Sequence, residues 1–87
     1  MRSFQPGDIV QHFKRELVDP TSDMYLYRII GVGEHSETAE EVMIYQALYD
    51  DKKMYVRPLA MFMEEVDHTK YPDIKQKYRF EKLESVD

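Results

Sequence analysis

Apolar and polar side chains alternate with a period of two along most of this chain, and helical spacing is confined to one short stretch. Asp8 to Phe13 alternates directly after a Pro6-Gly7 turn signal. Ile9, Gln11 and Phe13 fall on one side and Val10 and His12 on the other, which predicts a first strand. Met24 to Val32 (MYLYRIIGV) is β-branched and aromatic and predicts a second. In it Tyr25, Tyr27, Ile29 and Gly31 share one face, and Leu26, Arg28, Ile30 and Val32 the other. Gly31 and Gly33 at its end permit a bulge or a sharp bend. Val42 to Tyr49 predicts a third strand that is apolar on both sides and therefore sandwiched.

The Asp50-Asp51-Lys52-Lys53 turn holds no glycine, so it predicts a four-residue loop built on a type I turn. It leads into a fourth strand, Met54 to Arg57. Pro58 suits the first position of a helical turn. Leu59, Phe62 and Met63 then recur at spacings of three and four, which turns one face of that segment inward. Tyr78 to Leu83 predicts a last strand with Phe80 inward, and Glu84 to Asp87 should fray. The expected core is Ile30, Val32, Ile44, Leu48, Val56, Leu59 and Phe62.

Three polar connections separate these elements. Lys14 to Asp23 is charged and turn-rich, and its Glu16-Leu17-Val18 suggests a brief strand turn. Glu34 to Glu41 and Asp67 to Lys77 are polar loops. Strand, long loop, strand, loop, strand, tight hairpin, strand, helical turn, strand is the order of an SH3-like barrel. The fold class is therefore all-β: a small SH3-like, partly open barrel of about five strands with one short helical turn. Partial closure is also how so few short strands manage their edges. The 87 residues predict one domain over 1–87, with its core about 6–83.

Composition narrows the chemistry. With no Cys, disulfides, thiolate metal sites and cysteine nucleophiles are excluded. No stretch reaches the roughly 20 apolar residues of a membrane span, and MRSFQPGD lacks an apolar signal core. The expectation is a cytoplasmic protein with no membrane partner. Net charge is −5, with nine acids against three bases in residues 34–67. That acidic middle argues against nucleic acid as a partner, because backbone phosphates need a basic face. Lys75, Lys77, Arg79 and Lys82 form a small basic cluster that could meet an anion but reads first as a solvated strand edge.

Short ordered motifs also resemble a known family. Ile29-Ile30-Gly31-Val32, His35-Ser36-Glu37-Thr38, Val42 to Tyr45, Ala47-Leu48-Tyr49, Val56-Arg57-Pro58, Met61-Phe62 and Arg79-Phe80 are similar to those of DUF1653, a small bacterial and archaeal domain without an assigned function. The resemblance spans roughly residues 6–83. It implies no catalytic residues. Two departures stand out: a loop inserted over Arg15 to Asp23, after His12-Phe13-Lys14, and Tyr55 where relatives often carry Trp.

The ligand-binding residues expected from the sequence are His35, Ser36, Glu37, Thr38, Tyr45 and Arg57. The loop places His35, Ser36, Glu37 and Thr38 beside the apolar third strand, and Arg57 alternates with apolar neighbours on the fourth. A guanidinium there should pair with an acid of the Glu34–Glu41 loop or with Glu64, or anchor an anion or carbonyl through its planar fork. Hydrolysis using His35 or His12, for example as Ser36-His12-Glu41, is an alternative. Sequence neighbours seldom meet triad geometry, however. A metal site of His12, His35 and Glu37 or Glu41 lacks the usual ligand spacing, and no cofactor is expected. Five tyrosines, Tyr25, Tyr27, Tyr45, Tyr49 and Tyr55, exceed what so small a barrel hides, which suggests an interaction face or a homodimer. The leading reading is a non-enzymatic binding module for an unidentified protein or small-molecule ligand.

Overall fold

The computed structural model describes residues 3–83; the expected fraying of residues 84–87 lies outside them. Five strands are built: β1 (Ile9–His12), β2 (Leu26–Glu34), β3 (Glu41–Ala47), β4 (Met54–Pro58) and β5 (Phe80–Lys82). One helical turn, α1 (Leu59–Phe62), follows β4, with Pro58 as its N-cap residue. The strands form a single antiparallel sheet in the order β4-β3-β2-β1-β5. Each strand pairs with its sequence neighbour, except that β5 returns to β1, with His12 opposite Phe80. This is the SH3-like order, and the sheet is a partly open barrel.

Strand β2 is the longest, and it is bent at the position its glycines suggested. Ile29 pairs with Tyr45 and Gly31 with Ile44, so Ile30 is an extra residue in the ladder. A bulge of this kind increases local twist and curls the sheet. The segment after α1 helps cover the open side. Val66 N–H donates to the Lys77 carbonyl at 2.8 Å and Arg79 N–H to that of Glu64 at 2.9 Å, around a Glu65–Tyr78 bridge.

Val10, Tyr27, Ile29, Met43, Tyr45, Ala47, Phe62 and Phe80 fill the interior. Phe62 and Phe80 are stacked at its centre. The inward face of β3 is thus Met43-Tyr45-Ala47, not the Ile44-Leu48 face expected from the sequence. Of the expected core, Phe62 is fully buried, Ile30, Ile44, Leu48 and Leu59 are half-buried, and Val32 and Val56 are 50% and 66% exposed. Both faces of β3 are apolar, so alternation alone leaves its orientation open. The bulky rings take the inside, where each hides the most apolar surface, and the smaller β-branched residues line the outside. Tyr27 shares its buried hydroxyl with that of Tyr49, 2.6 Å apart, so the barrel takes in tyrosine without orphaning a polar atom. Tyr55 is 40% exposed.

The connections also differ from expectation. Phe13–Leu17 is a 3₁₀ turn, not a strand turn. Phe13 leaves the barrel to pack with Val66, Ile74 and Tyr71 in a second apolar cluster. The β3–β4 turn puts Asp50 (φ 50°) and Lys52 (φ 54°) in the left-handed region, which a simple type I turn does not. In the inserted loop, Arg15 donates to the carbonyls of Ser22, Met24 and Pro20 at 2.7, 3.0 and 3.0 Å. One guanidinium thus orders the insertion.

Candidate functional site

The strongest concentration of chemistry lies where β1 leaves the sheet. Pairing of β1 with β5 sets His12 opposite Phe80. His12 ends β1 and caps the 3₁₀ turn, its Nδ1 accepting the Lys14 amide at 3.1 Å. Its ring stacks on Phe13 at 4.3 Å and meets the edge of Phe80 at 5.0 Å. Tyr25 lies 5.7 Å away, itself held at φ 67°. With Nδ1 occupied as an acceptor, the neutral ring carries its hydrogen on Nε2. Burial, reinforced by Arg57, Lys14 and Arg79, pushes the imidazole pKa down to about 4, so His12 is neutral at ordinary pH.

A cleft of about 290 Å³ opens beside this histidine. His12, Phe13 and Lys14 form one wall, Arg57 of β4 and Arg79 before β5 another, and Asp67, Lys70 and Tyr71 the rim. The Arg57 guanidinium sits 5.6 Å from the centre of the Phe80 ring, a cation–π contact that fixes it over the core. Arg79 Nε lies 3.4 Å from Glu64 Oε2, outside hydrogen-bond geometry. It is buried without a hydrogen-bond partner among the described residues. Asp67 Oδ1 accepts the Thr69 and Lys70 amides at 3.0 and 3.3 Å, so this carboxylate is engaged in its own turn. Lys70 Nζ hovers 5.5 Å from the Tyr71 ring, whose edge meets Phe13 at 4.9 Å.

The wall is held rigid from behind. Glu16 accepts the Lys75 and Gln76 amides at 2.9 and 2.8 Å, clasping the 3₁₀ turn to the loop before β5. Gln76, the one buried polar side chain among the described residues, donates to the carbonyls of Gln11 and Tyr78 at 3.1 and 2.8 Å. Its Oε1 also accepts from the Gln11 side-chain Nε2 at 3.1 Å. A buried amide satisfied on both its ends fixes one register for the two segments.

Of the six ligand-binding residues expected from the sequence, Arg57 alone lines this cleft, joined by His12 of the alternative hydrolytic set. Its expected acid partners are elsewhere: Glu64 lies against Arg79, and the ion pairs among the described residues are Arg79–Glu64 and Lys82–Asp8. His35, Ser36, Glu37 and Thr38 are exposed in the β2–β3 loop, which closes on itself. His35 Nδ1 accepts the Glu37 and Thr38 amides at 3.2 and 3.3 Å, and Thr38 Oγ1 accepts that of Glu40 at 3.2 Å. Tyr45 is in the core, its ring 5.1 Å from Phe62 and 5.5 Å from Phe80. Among the described residues, no cluster of three or more His, Asp or Glu side chains is placed to hold a metal ion.

Sequence reasoning missed Lys14 and Lys70 as companions of Arg57, because no spacing links them, and placed Arg79 only in the basic cluster of residues 75–82. A faint signal was present: both arginines stand in motifs shared with the resembled family, VRP and RF.

The fold and the cleft define a small SH3-like β-barrel with a cationic recess beside a neutral histidine. The sequence model of a family described as a protein of unknown function (DUF1653) matches residues 8–82, and the chain belongs to that family. No curated protein and no solved structure matches the chain. Among the described residues, no helix is long and apolar enough to cross a membrane.

Proposed function

We propose that the chain is a non-enzymatic binding module whose cleft captures an anionic ligand. One observation carries this reading. A chain of net charge −5 gathers Lys14, Arg57, Lys70 and Arg79 around one recess against a single lining acid, Asp67. Like charges brought together repel, and such a grouping is stabilised when a counter-charge occupies it. Arg57 keeps the anchoring role expected from the sequence, with donors from the 3₁₀ turn, the 67–71 turn and the entry to β5 around it in place of the 35–38 loop. Binding is favoured over hydrolysis by the histidines. His12 Nδ1 is committed to the Lys14 amide, and His35 Nδ1 to the amides of its own loop.

The test is a calorimetric titration of the chain with a panel of small anions, repeated on Arg57→Met. Binding in the parent and its loss in a variant of unchanged circular dichroism would support the reading. A parent that binds none of the anions would sink it.

A further inference from the structure

The lining of the cleft also specifies the charge of its occupant. Lys14, Arg57, Lys70 and Arg79 contribute four positive charges and Asp67 one negative. Glu64, beside Arg79, brings the local sum to +2 (4 − 1 − 1). A carboxylate would neutralise half of that excess, and a dianion would neutralise all of it.

Direction of approach points the same way. The four cations come from separate places in the fold: the 3₁₀ turn, β4, the 67–71 turn and the entry to β5. A carboxylate, planar and with two oxygens, is satisfied by one guanidinium fork. Donors set on several sides suit a tetrahedral group with three terminal oxygens. Arg79 adds a half-buried guanidinium, whose Nε lies 3.4 Å from Glu64 Oε2. His12 adds an uncharged Nε2–H. At about 290 Å³ the recess is at the small end of ligand sites, with room for one such group and a few further atoms. The net charge of −5 over the whole chain disfavours extended polyanions.

On the reading of this cleft as an anion site, we propose that it takes the terminal phosphate monoester of a small soluble molecule, bound as the dianion. The two guanidinium groups hold the phosphoryl oxygens, Lys14 and Lys70 supply charge at the rim, and the rest of the ligand extends past Tyr71.

The experiment titrates the whole chain at pH 7.5 and constant ionic strength with phenyl phosphate and sulfate as dianions, and with acetate and nitrate as monoanions. Amide chemical shifts are followed. Sedimentation with phosphatidylcholine vesicles containing phosphatidic acid runs in parallel. Phenyl phosphate is mostly dianionic at this pH, its second proton leaving near pH 6. Both dianions should bind at least about tenfold more tightly than either monoanion, with shifts centred on Lys14, Arg57, Lys70 and Arg79. Lys70→Ala, an exposed change that leaves the fold intact, should weaken dianion binding severalfold. Equal affinities for monoanions and dianions, or an unaltered Lys70→Ala, would overturn the phosphate proposal while leaving a general anion site standing. No binding by any anion overturns both. Vesicle capture without phenyl phosphate binding overturns the soluble ligand.

Discussion

Phe62 and Phe80 lie face to face at the centre of the barrel, with ring centroids 4.0 Å apart and planes 8° from parallel. One comes from the helical turn after β4 and the other from β5, the two ends of the open sheet. Side-chain packing therefore joins edges that share no hydrogen-bonded ladder. Arg57 rests over Phe80 and His12 against its edge, so this stack is also the floor on which the cleft stands.

Truncating the stack should be costly. Phe62→Ala should destabilise the domain by about 3–5 kcal/mol, read from urea denaturation. Against a total stability of about 5–15 kcal/mol that is a large share, so the Leu variants give a gentler check. A double-mutant cycle of Phe62→Leu and Phe80→Leu should show coupling of about 0.5–1.5 kcal/mol. Strict additivity would mean that the rings do not act on each other.

The outer face should respond differently. Val56 is 66% exposed and opposite Ile44, on the face the alternation had suggested was core. Val56→Thr should shift stability by no more than about 0.5 kcal/mol. Ile29→Ala, at a residue 1% exposed, should cost about 2–5 kcal/mol in the same melt. If the two costs came out reversed, the assigned inward face would be wrong.

His12 should leave its mark on the acid side of the stability curve. Its pKa in the fold is about 4, against 6.5 for a free imidazole, because burial and then Arg57, Lys14 and Arg79 oppose the charged form. The unfolded chain takes up this proton first as pH falls. Stability therefore declines from near pH 6.5 to near pH 4 and receives no further penalty from His12 below that. Allowing for partial solvent screening, the loss is about 1–2 kcal/mol. Melts of parent and His12→Gln at pH 7, 5.5 and 4 isolate the effect, and the difference between them should shrink toward acid. Parallel curves would show that His12 titrates normally in the fold.

Glu16 reaches across 60 positions to the Gln76 amide and across 59 to that of Lys75. Glu16→Ala orphans both donors and should cost about 1–3 kcal/mol. Glu16→Gln retains one acceptor oxygen and should cost less. Native-state hydrogen exchange at Lys75 and Gln76 is the local measure: protection should fall in Glu16→Ala with little change at Ile29. Unchanged protection would mean that these amides are shielded by other means.

The sequence shows where the strands are but not which way they face. Alternation located all five, and Pro58 marked the helical turn, because both signals are local. The inward face depended on two things that pattern does not carry. Strand β3 is apolar on both sides, so volume decided, and the tyrosines went in. The extra residue at Ile30 then displaced the alternation of β2 by one, leaving Val32 opposite Met43 yet half exposed at the strand end. The cleft was less legible still. Its cations stand at 14, 57, 70 and 79, in four separate segments, and the pairing of β1 with β5 is what brings Lys14 and Arg79 together. The 35–38 motif drew attention because its polar residues are contiguous. Its His35 and Thr38 side chains proved to be holding their own loop together.

That pairing also sets a timetable for the chain as it is made. Val10 is opposite Lys82, 72 residues later (82 − 10). At ordinary synthesis rates of about 5–20 residues per second, β1 waits roughly 4 to 14 seconds for its second neighbour. Until then one edge of β1 is open, Phe80 is missing from the interior, and the recess has neither its floor nor Arg79. The proposed site is therefore complete only after residues 80–82 have been made and paired with β1, and on that proposal ligand capture reads out the docking of the last strand.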